Sequence, residues 1–383
     1  MRAGWISYGL IYLYAVISGG SVGKLIPLVG DMAKTTHVSL SEAAWLISVI
    51  SAASVLLAPF SGAMTDRLGD RKIIVAGLSV MILANVLMWP MSSFAALLAG
   101  RLLEGAGFIA VSVGTIAMVV RTTEGARQPL AMAVISTSVP LGVGLFLGFG
   151  GLFAGPNWQW VFPAHALCLA VMLALSALLP AWVKPEKNSS NAGAGMGAVL
   201  RSAGPAGLSL GICIATIAMF GFGALFPTYA SGTFGVSPAV AAGYGMFSYP
   251  ASIIGSLIVG PVAMHHGVGK LSLAAFALLA LTGSAIFFPI TGLWGSAAIL
   301  FCFYIAGGMV GAIGMARLPH IIPSPDATGA TTSLYMIGAN AGMLIGAPIV
   351  FTVFTNAQSA GMMVLACFCA LAPLVLWTRT AHR

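Results

Sequence analysis

Charge is what this sequence has least of. Only 6% of its 383 residues are Asp, Glu, Lys or Arg, and only 8 are acidic. A soluble domain carries roughly 25% charged residues to cover its surface, so a water-solvated globular protein is excluded. Cysteine is also scarce. Cys168, Cys213, Cys302, Cys367 and Cys369 all lie in apolar runs, with no CxxC pair and no zinc spacing. They are expected to pack, forming neither a disulfide nor a metal site. There is no His-Glu-x-x-His and no clustered His/Asp pair that would hold a metal, so an intramembrane enzyme is not expected and no cofactor is implied. Strands of alternating polarity are missing, which excludes an outer-membrane barrel. The net charge of +8 comes with no nucleic-acid-binding pattern, so no nucleic-acid partner is expected.

What is present is apolar: 59% of residues are hydrophobic and the mean hydropathy is +1.02. Runs of about 20 apolar residues cross a bilayer, and in lipid the backbone satisfies itself within helices. The chain therefore reads as an all-α membrane protein. Its runs divide at charges and Gly/Pro clusters into twelve spans: 5–30, 41–64, 73–92, 94–120, 128–154, 158–182, 204–231, 239–264, 270–290, 293–317, 326–355 and 358–378. The first is read as a retained helix, not a removed signal. The tail 378–383 is expected to hold no signalling domain.

Charge sets the orientation. With both termini inside, every Lys and Arg except Lys24, Lys34 and Arg101 falls in an inner segment, as the positive-inside rule requires. The expected location is a bacterial-type cytoplasmic (inner) membrane, crossed many times, with both termini cytoplasmic. The longest polar stretch, 183–203, reads as a flexible cytoplasmic linker. It separates an N-terminal six-helix bundle, 1–182, from a C-terminal one, 204–383. Such halves suggest an internal repeat. Residues 260–270 echo 62–72, keeping glycines and a cation without the aspartates.

That stretch, 62–72, is the polar knot of the chain. Two carboxylates and three cations crowd into residues 66–72. Gly62-x-x-x-Asp66-Arg67-x-Gly69-x-Arg71 resembles the signature loop of the major facilitator superfamily, with Asp70 where an Arg is usual. Arg101-x-x-Glu104-Gly105-x-Gly107 is similar to that family's fourth-helix pattern, with Glu104 for Gln. Asn157-Trp158-Gln159-Trp160-Val161-Phe162 is similar to its sixth-helix start, with Gln159 for Arg. The fifth span has Pro140, Gly142, Gly144 and Gly148 but no clean Gly-Pro-x-x-Gly-Gly, the pattern of proton-driven exporters. Residues 23–31 and 40–46 resemble the cyanate-permease and nitroimidazole-transporter-like subset.

The resemblance implies a twelve-helix fold of two pseudo-symmetric bundles. It also implies gating by Gly62, Asp66, Arg67, Gly69 and Arg71, with Asp66 meeting the start of the eleventh span. That helix starts inside, so its positive dipole end would face the carboxylate. Arg67 and Arg71 would pair with carboxylates or lipid phosphates.

Charges within spans are costly and mark function. Lys24 lies in the first span, and Asp31 seven residues on shares roughly its face. Arg101 and Glu104 share a face of the fourth. In the family these spans line the cavity, so Lys24 and Arg101 are expected to trap an anion, with Asp31 or Glu104 as the proton-coupling group. Tyr244, Tyr335 and Asn340 are weaker substrate-binding candidates, and His165 is expected to be a packed or water-bound histidine, not a proton relay. The expected function is secondary active transport by alternating access. The chain would be a proton-coupled symporter taking up a small anionic organic solute, working as a monomer in the lipid bilayer. The alternatives are a proton-driven exporter of drugs or metabolites, and a non-transporting receptor or sensor.

Overall fold

The computed structural model describes residues 5–179, 196–236, 248–266, 269–324 and 327–380. All regular structure among them is helical. In chain order the α-helices are α1 (Trp5–Gly23), α2 (Val29–Thr36), α3 (Leu40–Leu68), α4 (Asp70–Met88), α5 (Phe94–Thr122), α6 (Gln128–Ser136), α7 (Ser138–Gly151), α8 (Val161–Leu175), α9 (Met196–Arg201), α10 (Ala203–Phe234), α11 (Ser248–His266), α12 (Gly269–Ala285), α13 (Gly292–Arg317) and α14 (Thr328–Thr380).

Nine helical stretches among the described residues are long and apolar enough to cross a membrane, and Pro250–Ala263 and Gly269–Ala285 are shorter apolar helices. The longest stretch, Thr328–Trp377, has 50 residues. At about 1.5 Å per residue it is more than twice a bilayer core of roughly 30 Å. It holds two crossings that meet at Gln358, whose φ of 46° breaks the helix. With that stretch counted as two and the two shorter helices included, the described residues hold twelve apolar helical segments, and the division drawn between 290 and 293 falls between α12 and α13.

Two expected spans are not single helices, and proline explains both. A proline ring clashes with the carbonyl four residues back and removes a helical donor. Pro27 stands four residues after Gly23, where α1 ends; a short 3-10 turn, Ile26–Leu28, leads into α2. Asp31 therefore belongs to a separate helix and does not share a helix face with Lys24, which follows the end of α1. Pro140 stands four residues after Ser136, where α6 ends and α7 follows. At the start of α3, Ser39 and Glu42 form a capping box: Glu42 N donates to Ser39 Oγ at 3.2 Å and Ser39 N donates to Glu42 Oε2 at 2.8 Å. The Ser39 hydroxyl also donates to Glu42 Oε2 at 2.7 Å, and this bond, with that from Ser39 N, holds the exposed Glu42 carboxyl below the usual range.

The chain forms two compact units. One comprises Met1–Glu124, Ser138–Leu200 and Ile322–Ile337. Within it α4 packs on α5 and α8, α3 on α5, and α1 on α7. The other comprises Gly125–Thr137, Arg201–Ile321 and Gly338–Arg383. Within it α13 packs on α11, α12 and α6. Both features analysed below lie within the first unit.

Candidate functional site

Four helices converge on one carboxylate. Lys24 follows the last turn of α1, Asn85 lies in α4, Arg101 and Glu104 are one turn apart in α5, and His165 is in α8. All five side chains are fully enclosed. The Lys24 ammonium donates to Glu104 Oε1 at 2.6 Å, to Asn85 Oδ1, and to His165 Nδ1 at 2.9 Å. An ammonium has three N–H groups, so Lys24 is saturated. Glu104 Oε1 also accepts from Asn85 Nδ2 at 3.0 Å, and its Oε2 accepts from Arg101 Nη1. Arg101 Nε donates to the Leu46 carbonyl at 2.7 Å. Arg101 Nη2 is buried without a partner.

His165 Nε2 lies 3.1 Å from the Ile17 carbonyl. A carbonyl only accepts, so the proton sits on Nε2. Nδ1 is then a lone pair facing Lys24. The ring is neutral, and the cluster holds two cations against one anion. Burying unbalanced charge is costly, so this excess is the main electrostatic feature of the site.

The structure thus joins Lys24, Arg101 and Glu104 as expected candidates, but as an enclosed cluster centred on Glu104. It adds His165, read from sequence as a packed or water-bound histidine, and Asn85. The signal for Asn85 was present: an amide inside an apolar span needs a partner. Asp31 lies elsewhere, its Oδ2 accepting the Gly155 backbone N–H at 2.9 Å. Beside it Trp158 Nε1 donates to Thr35 Oγ1 at 2.9 Å. Tyr335 and Asn340 are buried in α14. Tyr244 lies outside the described residues.

The second feature is the polar knot. Asp66, at the end of α3, accepts the backbone N–H groups of Gly329 at 2.7 Å and Ala330 at 2.9 Å. These are orphan donors of the first turn of α14, where the helix dipole favours an anion. Arg121, from the last turn of α5, bonds Asp66 at 2.8 Å and also Asp70. From sequence Arg121 served only to set the topology, while Arg67 and Arg71 were expected to pair with carboxylates or lipid phosphates; Arg67 is exposed. The reason is geometric, since α5 packs along both α3 and α4.

Gly69 joins α3 to α4 at φ 91°, a conformation that suits glycine. Gly62 is no turn residue. It lies inside α3 against α14, where a Cβ would sit 2.6 Å from the Gly329 carbonyl oxygen.

Comparison with known proteins agrees with this architecture. The sequence profile of the Major Facilitator Superfamily matches residues 11–251. Multidrug efflux protein YfmO of Bacillus subtilis (strain 168) is 26% identical over 375 residues, covering 91% of this chain and 90% of that protein. Multidrug resistance protein 2 of the same organism is 24% identical over 41% of this chain and 39% of its own length. That protein and six other curated relatives are matched over less than half of their own length. Among solved structures, the human organic anion transporter MFSD10 (TETRAN) superposes with a TM-score of 0.78 at 17% identity, covering 97% of this chain and 98% of that one. The proton:xylose symporter XylE gives 0.75 at 12% identity, covering 97% and 94%.

Proposed function

Because the chain belongs to the Major Facilitator Superfamily, a family of transporters and not of enzymes, we propose that it is a proton-coupled secondary transporter of a small anionic organic solute. It works by alternating access, with the halves 1–182 and 204–383 as moving parts and 183–203 as their linker. Both termini face the cytoplasm and the membrane is of the bacterial inner type, on the distribution of Lys and Arg.

One observation carries the anionic solute: the enclosed cluster has two cations to one carboxylate, and its unspent donor is Arg101 Nη2. A negative solute offsets that charge. The fold neighbour described as an organic anion transporter supports the same class. Glu104 sits in the cluster with Lys24, and Asp31 does not, so coupling is assigned to the cluster. Tyr335 and Asn340, buried polar groups of an apolar helix, are assigned to orient the solute. Asp66, with Gly62 and Gly69, gates the inner face by holding the start of α14.

Two directions have support. Uptake rests on the absence of a Gly-Pro-x-x-Gly-Gly in the fifth span. Export rests on the near full-length match to a protein named for multidrug efflux. Proteoliposomes loaded with labelled monocarboxylates, or with a cationic dye, separate them under pH gradients of either sign. Carboxylate accumulation toward the alkaline side supports the anion symporter. Dye moving against a proton gradient, with no carboxylate flux, supports the exporter and sinks the anion reading.

A further inference from the structure

We infer that the coupling proton is carried by the Lys24 ammonium, not by a carboxylate, and that one proton moves with each negative charge of the solute. This rests on the proton-coupled reading above and names the group and the ratio.

The charged and titratable groups facing Lys24 are Glu104 and Arg101 from α5 and His165 from α8. α4 contributes the amide of Asn85. The Phe162 ring of α8 lies 5.3 Å from the ammonium, and Phe146 of α7 packs edge-on against His165. Four protonation changes can be weighed. Arg101 does not deprotonate in proteins. Protonating Glu104 would strip both cations of their counter-ion and double the buried positive charge. Protonating His165 at Nδ1 would set an N–H against the Lys24 ammonium, again doubling it. Releasing one proton from Lys24 leaves Arg101 and Glu104 as a balanced pair. Only this last step moves the enclosed cluster toward neutrality, which a low-dielectric interior favours. Asp31 is held by a backbone N–H outside the cluster.

The step balances. Lys24 passes from ammonium to amine and the proton goes to water on the open side. The amine keeps two N–H groups for Glu104 and Asn85. Its lone pair then faces the lone pair of His165 Nδ1, because Nε2 is committed to Ile17. The bond between Lys24 and His165 is lost, and with it a tie between α1 and α8. Proton loss thereby becomes a structural signal at the point where α1 ends. The same count fixes the ratio. The protonated cluster with a monoanion has the same net charge as the deprotonated cluster alone, so a carrier exchanging these states moves one proton with one negative charge.

The test needs no solute. Full-length protein in nanodiscs is melted across a pH series, and its infrared pH-difference spectrum is recorded with glutamate carbon-13-labelled at the side-chain carboxyl. We expect a one-proton step in the wild-type melting temperature. It should be lost in Lys24→Arg and kept in Asp31→Asn, and no labelled carboxylic-acid band should accompany it. The labelled spectrum needs only wild-type protein, so a poorly folding variant leaves the test intact. A labelled acid band rising with the step overturns the inference. So does a step that survives Lys24→Arg, or a wild type with no step. If the titration is as expected but the wild type moves no anion under either gradient, the transport reading fails and the ratio falls with it, while Lys24 remains the group in the cluster that titrates.

Discussion

Asp66 and Gly329 lie 263 positions apart in the chain, and the Asp66 Oδ1 accepts the Gly329 backbone N–H at 2.7 Å. A carboxylate at a helix N-terminus is worth roughly 0.3–2 kcal/mol. That scale biases an equilibrium without locking it. Asp66→Asn keeps an acceptor but loses the charge and the pairing with Arg121. The equilibrium between inner-closed and inner-open forms should shift by about 2- to 30-fold toward open. Thiol-labelling rates of a single cysteine placed at Ser333, whose Oγ donates to the Ala58 carbonyl, report this. An unchanged rate removes Asp66 from gating.

Gly62 and Gly329 each fill the space a side chain would need in the other. Gly62→Ala should push α14 away from α3 and weaken the Asp66 bonds. Overpacking of this kind costs about 1–3 kcal/mol. The melting temperature should fall, and the same cysteine should label faster. Gly30→Ala, where a Cβ meets nothing within 4 Å, is the control and should leave both unchanged.

The cluster around Glu104 should behave non-additively. Glu104→Gln leaves two enclosed cations without a counter-ion, and breaking a buried pair from one side costs about 3–5 kcal/mol. Adding Lys24→Met removes one of those cations. The double variant should therefore melt above Glu104→Gln alone, in a four-way thermal cycle. Simple additivity would mean that Lys24 and Glu104 do not interact.

Asp31 should be replaceable by an amide. Its bond is to the Gly155 N–H, which an Asn carbonyl can accept. Asp31→Asn should retain pH-driven solute flux in proteoliposomes, whereas Asp31→Leu should lower the melting temperature. Loss of coupling in Asp31→Asn would return the proton-coupling role to this residue.

Glu42 supplies a pH dependence ahead of the membrane-length stretch Trp45–Leu68. Its folded pKa lies below the unfolded one, so the capping box stabilises the fold above the normal carboxylate range. That contribution fades as pH falls through the lowered value. Glu42→Gln preserves a capping-box residue and should flatten this part of the acid limb of the melting profile, with little change at neutral pH. A limb identical to wild type would show that the box adds nothing.

Sequence alone determined the solvent and the helical class. Apolar runs separated by short basic loops leave a chain no other way to satisfy its backbone than membrane helices. The crossings, the polar knot and the cost of Lys24, Arg101 and Glu104 in lipid all follow from local composition. The helix breaks at Gly23 and Ser136 lie four residues before Pro27 and Pro140, but Pro59 and Pro261 sit inside continuous helices, so proline alone did not announce them. What the sequence could not show is pairing across helices. Whether Arg121 or Arg67 takes Asp66, and whether Lys24 meets Asp31 or Glu104, depends on which helix faces which. That is fixed by close packing among segments up to 141 residues apart, as for Lys24 and His165. A charge in an apolar run announces that a partner exists, because leaving it bare costs too much; only the tertiary fold decides which residue that partner is.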